Sequence, residues 1–372
     1  MGSAIHFYLP AFNGGGAENA IIRLLNYWHA LGRPVALIVN QDTGPLRHKL
    51  DAAIPVHALG SKHSLLNTGR LARHLRRHRP RLLVTALLSP NVAGVLAGGL
   101  SGRVCPVVCL VRNHTSTELA AKSRMRRALI KPLLTLAYRR ADAIGCVAQD
   151  VADDLIDLFG VTPEKVGVTL NPVPVVRSTA RPDDMPNDGA PVLLAIGRLV
   201  SQKDYPTVLR AVGKLQNVRK SHLVVLGDGE DRPILSRLVS DLGLQDRVHF
   251  LGYRNNPTDY MAHCDGFLLL SKFEGFPNVL AEALAAGASI VATDAPGGAA
   301  DILDDGKYGK LVPVGDVEAA AYAMQQMLAN PFDRDRQMAR AQAFQIDRIA
   351  ARYDRLFDQV CRLCDLDAEM AA

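Results

Sequence analysis

The sequence predicts two α/β domains, each built on a parallel β-sheet covered by helices on both faces. Three observations lead there. The chain has 372 residues, more than one ordinary hydrophobic core organises. Short apolar runs rich in β-branched residues recur with amphipathic stretches between them, the pattern of parallel strands buried on both sides. Between two sets of such runs lies NPVPVVRSTARPDDMPNDGAP, residues 171–191, where proline and polar residues replace any period and mark a domain boundary.

In the first half the expected strands are IHFYL, VALIV, LLVTALL, VVCLV and IGCVA. In the second half they are PVLLAIG, HLVVLG, VHFLG, GFLLLS and SIVAT. No solenoid period appears. At the C-terminus Ile346, Ile349, Tyr353, Leu356, Val360 and Leu363 keep three- and four-residue spacing, which predicts an amphipathic helix seeking an apolar groove. Residues 82–102 carry no charge and are about long enough to span a bilayer. Ser89-Pro90-Asn91 and the small-residue stretch VAGVLAGGL break that reading, and a buried strand, a loop and a helix are expected instead.

The composition, 48% hydrophobic and 22% charged, is globular rather than disordered. Six cysteines are too few and too scattered for a disulfide scaffold. Cys361-Arg-Leu-Cys364 has metal or redox spacing but lacks a second pair or a nearby histidine, so reduced, incidental helix cysteines are expected. The N-terminus shows no export signal, and a cytoplasmic location is expected. Charge is uneven: up to residue 185 Lys and Arg outnumber Asp and Glu 23 to 12, against 20 to 25 beyond it. Much of the surplus lies in residues 70–81 and 121–140. The second stretch mixes basic clusters with leucines, as a helix lying on an anionic membrane surface would, although a solvated basic face reads the same way. Nucleic acid is excluded as the expected partner because no aromatic residues interleave with these runs.

Ligands of open parallel sheets bind at the carboxyl ends of strands, and the distinctive residues fall there. After IHFYLPAF comes Asn13-Gly14-Gly15-Gly16-Ala17-Glu18, whose glycines allow a backbone to approach a ligand. A dinucleotide fingerprint would need glycine at Asn19 and an acid where Asn40 stands, so NAD is not expected. After PVLLAIG, Arg198 and Lys203 suit a diphosphate, one as a planar fork and one as a point charge. Asp228-Gly229-Glu230 makes another glycine turn after HLVVLG. After GFLLLS comes FEGFPNVLAEALAAG, residues 273–287, in which Gly275 and Pro277 place Glu274 on a loop and start a helix near Asn278. That helix start offers amides and a positive dipole end to a phosphate. Glu274 and Glu282 cannot bind phosphate and suit hydroxyl groups on either side of it.

The ordered set, Gly15 to Glu18, Asn171-Pro172-Val173, Arg198, Lys203, Glu274 and Glu282 at E-x7-E spacing, and Ala292-Thr293-Asp294 before Gly297-Gly298, resembles the retaining glycosyltransferases of family GT4 over nearly the whole chain. The resemblance implies the GT-B fold: two Rossmann-like domains facing across a cleft, with the C-terminal helix crossing back to the first. The expected domains are 1–178 for the acceptor, 190–345 for the nucleotide-sugar, and the helix 346–372 on the N-terminal domain. It further implies that Glu282 takes ribose hydroxyls and that Arg198 and Lys203 take the diphosphate. Glu274, Asn278 and Val279 would hold the donor sugar and its phosphate, with Gly15 and Gly16 approaching from the first domain. The family's histidine near the reacting sugar maps to His114, with Asn113 the alternative. No metal or other cofactor is implied, since no DxD or histidine cluster stands at a strand end and the cations supply the charge. The expected reaction moves a hexose or N-acetylhexosamine with retention from a UDP-sugar, ahead of a GDP-sugar. The expected acceptor is a glycan, lipid-linked, in cell-envelope or exopolysaccharide assembly, with peripheral membrane contact through 70–81 and 121–140. Rival readings are a sugar-nucleotide epimerase of the same build and a non-catalytic sugar-nucleotide-binding protein. A glycosidase also uses two carboxylates, but would leave Arg198 and Lys203 without a purpose.

Overall fold

A computed structural model describes residues 4–120, 122–174 and 180–370, with 364–370 described through their backbone alone. The chain divides into two compact units, Met1–Pro172 with Ile346–Ala372, and Val173–Gln345.

The sheet of the first unit contains β1 Ile5–Leu9, β2 Val35–Val39, β3 Val56–Ala58, β4 Leu82–Ala86, β5 Val107–Val111, β6 Ala143–Cys146 and β7 Val166–Val168. Their order is β3-β2-β1-β4-β5-β6-β7, parallel throughout. In the second unit β8 Val192–Ile196, β9 His222–Leu226, β10 Val248–Gly252, β11 Gly266–Leu269, β12 Ile290–Thr293 and β13 Lys310–Val312 follow the order β10-β9-β8-β11-β12-β13, again parallel. Both are doubly wound α/β sheets, as the alternation of apolar runs and amphipathic helices predicts. Strands β2, β4 and β5 are buried at every position, which explains why they read as continuous apolar runs. Three strands escape sequence reading: β3, β7 and β13. Each has three residues at a sheet edge, too short for a period to register.

In the second unit the helix Tyr205–Leu215 lays Val208, Leu209, Val212 and Leu215 on the sheet residues Leu193, Leu223 and Val225. Residues 180–190, read from sequence as linker, lie against this unit. Tyr260 donates its hydroxyl to Asp184 at 2.5 Å, Arg254 pairs with Asp184, and Met185 is buried. Residues 175–179 of the same stretch lie outside the described residues.

The helix Ile346–Met370 belongs to the first unit. It buries Ile349, Tyr353, Phe357 and Val360, whereas Leu363 is 54% exposed, so the apolar stripe ends a turn earlier than its spacing suggests. Tyr353 and Phe357 stand 6.0 and 5.9 Å from Trp28 of the helix Gly16–Ala30, and Phe7 of β1 lies 5.6 Å from Trp28 and 6.3 Å from Phe357. Truncating a buried tryptophan of this kind typically costs about 3–5 kcal/mol. Residues 82–102 form β4 and the helix Leu88–Leu100, and no described helix is long and apolar enough to cross a membrane. The described cysteines Cys105, Cys109, Cys146, Cys264 and Cys361 are free thiols, and the side chain of Cys364 lies outside the described residues.

Candidate active site

The strand order of the second unit reverses between β8 and β11, so the loops leaving these neighbours open side by side at their carboxyl ends. Backbone and side chain join the two loops: the Lys272 amide donates to Gln202 O at 2.9 Å, and Gln202 Nε2 donates to Phe273 O at 2.9 Å. This brings Lys203 and Glu274 together. Lys203 Nζ and Ser271 Oγ both donate to Glu274 Oε1, each at 2.6 Å. Oε2 of Glu274 has no partner among the described residues. The carboxylate is thus oriented through one oxygen and able to accept from a hydroxyl through the other. Glu274 is 8% exposed, so the ion pair works where water screens it weakly.

Glycines mark where these backbones touch. Gly297, at φ 120°, would carry a Cβ only 2.3 Å from Glu274 O, and the Glu274 amide donates to Pro296 O at 2.9 Å. Gly227, at φ 126°, would place a Cβ 2.1 Å from Gly197 O. Thr293 Oγ1 donates to Ser271 O at 2.6 Å, tying the Ala292-Thr293-Asp294 turn to the same loop. Arg198, on the loop after β8, is exposed, and its side chain makes no hydrogen bond or ion pair among the described residues. The helix Asn278–Ala285 begins where Pro277 predicts, and no side chain caps its first turn. Asn278 and Val279 are half-buried at its start, and Glu282 is half-buried one turn in.

The first unit reverses order between β1 and β4, and the carboxyl ends there surround a cavity of about 420 Å³. Pro10, Leu87, Asn91, Arg112, Asn113 and Glu118 are in its lining. Burial pushes the Glu118 carboxyl above its ordinary range, while Lys122 and a hydrogen bond from Asn113 pull it back. Leu87 takes φ 78° and ψ 157°, a region nearly confined to glycine, at the wall of this cavity. Arg112 donates to Asn171 Oδ1 at 2.9 Å and lies over the Tyr353 ring, while its Nε and Nη2 find no partner among the described residues. Asn171 of the Asn-Pro-Val motif thus holds this guanidinium. Neither Arg112 nor Glu118 is singled out by the sequence. Each sits within four residues of His114, yet nothing in the spacing marks it as buried.

His114 is outside that lining. Its Nδ1 lies 3.1 Å from Ser116 Oγ, 3.0 Å from Thr117 Oγ1 and 3.6 Å from Asp154 Oδ2, with Nε2 3.6 Å from Asp150 Oδ2. Gly15 and Gly16 stand where the loop after β1 enters the helix Gly16–Ala30, and a Cβ on Gly15 would fall 2.3 Å from the Glu18 carboxylate. Asn40, where a dinucleotide site would need an acid, is buried: Tyr8 and Asn67 donate to its Oδ1 at 2.6 and 2.7 Å, and its Nδ2 donates to Ser64 at 2.9 Å. Burial pushes the Tyr8 phenol up to about 12.

A family profile described as Glycosyl transferases group 1 matches residues 176–344, and one described as Glycosyltransferase Family 4 matches 14–177. An N-acetylgalactosamine-N,N'-diacetylbacillosaminyl-diphospho-undecaprenol 4-alpha-N-acetylgalactosaminyltransferase of Campylobacter jejuni is 32% identical over 249 residues, 65% of this chain and 67% of that protein. The chain belongs to glycosyltransferase family 4. The lipopolysaccharide core biosynthesis glycosyltransferase LpsE of Rhizobium meliloti is 34% identical to this glycosyltransferase, over 52% of the chain and 56% of the relative. The chain therefore spans between about half and two thirds of these relatives. Among solved structures, Anabaena HepE in complex with UDP superposes with a TM-score of 0.80 at 21% identity, over 96% of this chain and 100% of that one. The apo lipopolysaccharide outer core galactosyltransferase WaaB superposes at 0.76 with 19% identity, over 96% and 99%. At these identities the superpositions establish the fold, GT-B, for the glycosyltransferase described here.

Proposed function

We propose that the protein transfers a hexose or N-acetylhexosamine, with retention, from a UDP-sugar to a lipid-linked glycan in cell-envelope or exopolysaccharide assembly. The observation that carries this reading is the Lys203–Glu274–Ser271 cluster at the carboxyl ends of β8 and β11, beside a helix start that no side chain caps. As the bond from sugar to diphosphate breaks, negative charge gathers on the leaving group and positive charge on the ring. Lys203 and Arg198 are assigned to the diphosphate, with the amides near Asn278 and Val279 adding the helix dipole. Glu274 would hold a donor-sugar hydroxyl through Oε2, and Glu282 the ribose hydroxyls. Gly15 and Gly16 are assigned to close backbone approach to a ligand, and His114 to the catalytic group of the first unit. Asn113 and Arg112 line the cavity of about 420 Å³ in that unit, which we assign to the acceptor. Protein cations and amides neutralise the leaving group in this reading, so neither metal nor cofactor is required.

The names of relatives support the donor and acceptor: HepE was solved with UDP, and the Campylobacter enzyme acts on a diphospho-undecaprenol glycan. The helix Arg124–Arg140 supports contact with an anionic membrane on the cytoplasmic side. It exposes Met125 at 77% and Leu129 at 67% between Arg124, Arg126, Arg127 and Lys131. The decisive experiment incubates the full chain with a panel of nucleotide-sugars and a polyprenyl-diphosphate glycan. Transfer from a UDP-sugar, unaltered by added Mg²⁺ or Mn²⁺, is the expected result. Interconversion of free nucleotide-sugars would make it an epimerase, and binding without transfer or hydrolysis would make it a binding protein.

A further inference from the structure

Four of the eleven histidines of the chain gather at one place in the first unit, and none of them has a catalytic or donor-binding role above. His6 is on β1, His57 on β3, and His74 and His78 stand one turn apart on the helix Thr68–His78. The rings of His74 and His78 stack with centroids 4.0 Å apart, and His57 lies 4.7 Å from His74 and 5.1 Å from His78. One ring nitrogen from each of His57, His74 and His78 lies within 4.8 Å of the others. Behind them, His6 Nδ1 lies 3.0 Å from His74 Nε2.

Three features suit this group to a cation that binds imidazole lone pairs. A carbonyl oxygen can only accept, so His78 Nδ1, 3.0 Å from His74 O, carries its proton and leaves the Nε2 lone pair available. A backbone carbonyl on the far nitrogen is the usual way of fixing a ligating histidine. No carboxylate contacts any of the four among the described residues. His6 and His74 are buried against the neighbouring rings, so little movement is open to them. A tetrahedral ion with metal–nitrogen bonds of about 2.1 Å sets its ligand nitrogens roughly 3.4 Å apart. Side-chain rotation of exposed His78 and half-buried His57 supplies the closure from 4.8 Å.

We propose that His57, His74 and His78 form a binding site for a divalent transition-metal ion of the zinc class, with His6 as a positioning residue behind His74 and water as the fourth ligand. Imidazole donors without carboxylates favour Zn²⁺ over Mg²⁺ or Ca²⁺. Within the first unit the site lies away from the cavity at the carboxyl ends of the strands, because His6 is the second residue of β1 and none of the four histidines lines that cavity. Its effect is structural. The edge strand β3 pairs with β2 through three residues, and the ion would tie it further to the helix Thr68–His78.

The test uses the full chain without a histidine tag, stripped with EDTA and titrated with ZnCl2 by calorimetry. One zinc per chain is expected, with a Tm that rises with zinc and not with Mg²⁺. Co²⁺ in its place should give the visible absorption of a four-coordinate ion. The double variant His57→Ala with His78→Ala should lose the ion and the zinc-dependent rise. The exposed substitution His78→Gln, which the fold tolerates, should weaken binding at least tenfold. His6→Ala should weaken it about 10–100-fold and keep the stoichiometry. No uptake by the parent chain, or uptake by His78→Gln and the double variant equal to the parent's, would overturn the assignment. Equal uptake would place the ion elsewhere, for instance at His222 and His249, whose ring nitrogens lie 2.9 Å apart.

Discussion

The two sheets share one winding, with order reversing between β1 and β4 in the first unit and between β8 and β11 in the second, yet the two reversals are furnished in opposite ways. The second is crossed by short polar contacts: Lys203 and Ser271 meet on one oxygen of Glu274, and glycines let the loop backbones close around it. The first is left as a cavity with leucine and proline in its walls and a few polar groups among them. Its strongest polar network, around Asn40, is buried beside it and serves the fold. Charge that must be ready before bond breaking needs rigid, desolvated partners. A large acceptor needs room. In the proposed function one scaffold would meet both needs by varying the loops at the carboxyl ends of its strands.

This contrast can be broken from either side. The largest effect is expected for Lys203→Ala, which removes the proposed leaving-group contact and leaves Glu274 buried without its cation. Steady-state kinetics should show kcat/KM lower by about 10²–10³, roughly 3–4 kcal/mol, while vesicle binding is unchanged. Next, Gly297→Ala forces a Cβ against Glu274 O in a conformation costing about 1–3 kcal/mol, so both Tm and kcat should fall. Asn40→Ala sharpens the comparison in the other unit. It orphans the Tyr8, Ser64 and Asn67 groups at about 1–3 kcal/mol in chemical denaturation, and donor affinity should stay at the parent value. The smallest effect belongs to Arg127→Gln, worth about 1 kcal/mol, or roughly fivefold, in sedimentation with anionic vesicles at low salt. Transfer to a water-soluble acceptor should be unaffected.

Much of this was readable in advance where a short window carries the information. Pro277 and Gly275 placed the start of the helix Asn278–Ala285, and Glu274 is on the loop before it, as expected. The strands β1, β2, β5 and β10 begin and end where their apolar runs do. The roles of Arg112 and Glu118 were not readable, because burial and a missing partner are properties of the packed chain. Nor was the packing of residues 180–190, since a proline-rich stretch looks the same whether or not Asp184 meets Tyr260 and Arg254.

Sequence alone established the two parallel α/β sheets, the glycine turns at their strand ends and the set of polar residues available there. These depend on side-chain period and local backbone preference, both legible within a dozen neighbours. Folding was needed to join Lys203 to Glu274 across 71 residues, to bring His6 against His74 across 68, and to hollow out one switch point while filling the other. Such encounters follow from the order in which strands cross over and from the height at which each stands in its sheet. Neither is written in the spacing of residues along the chain.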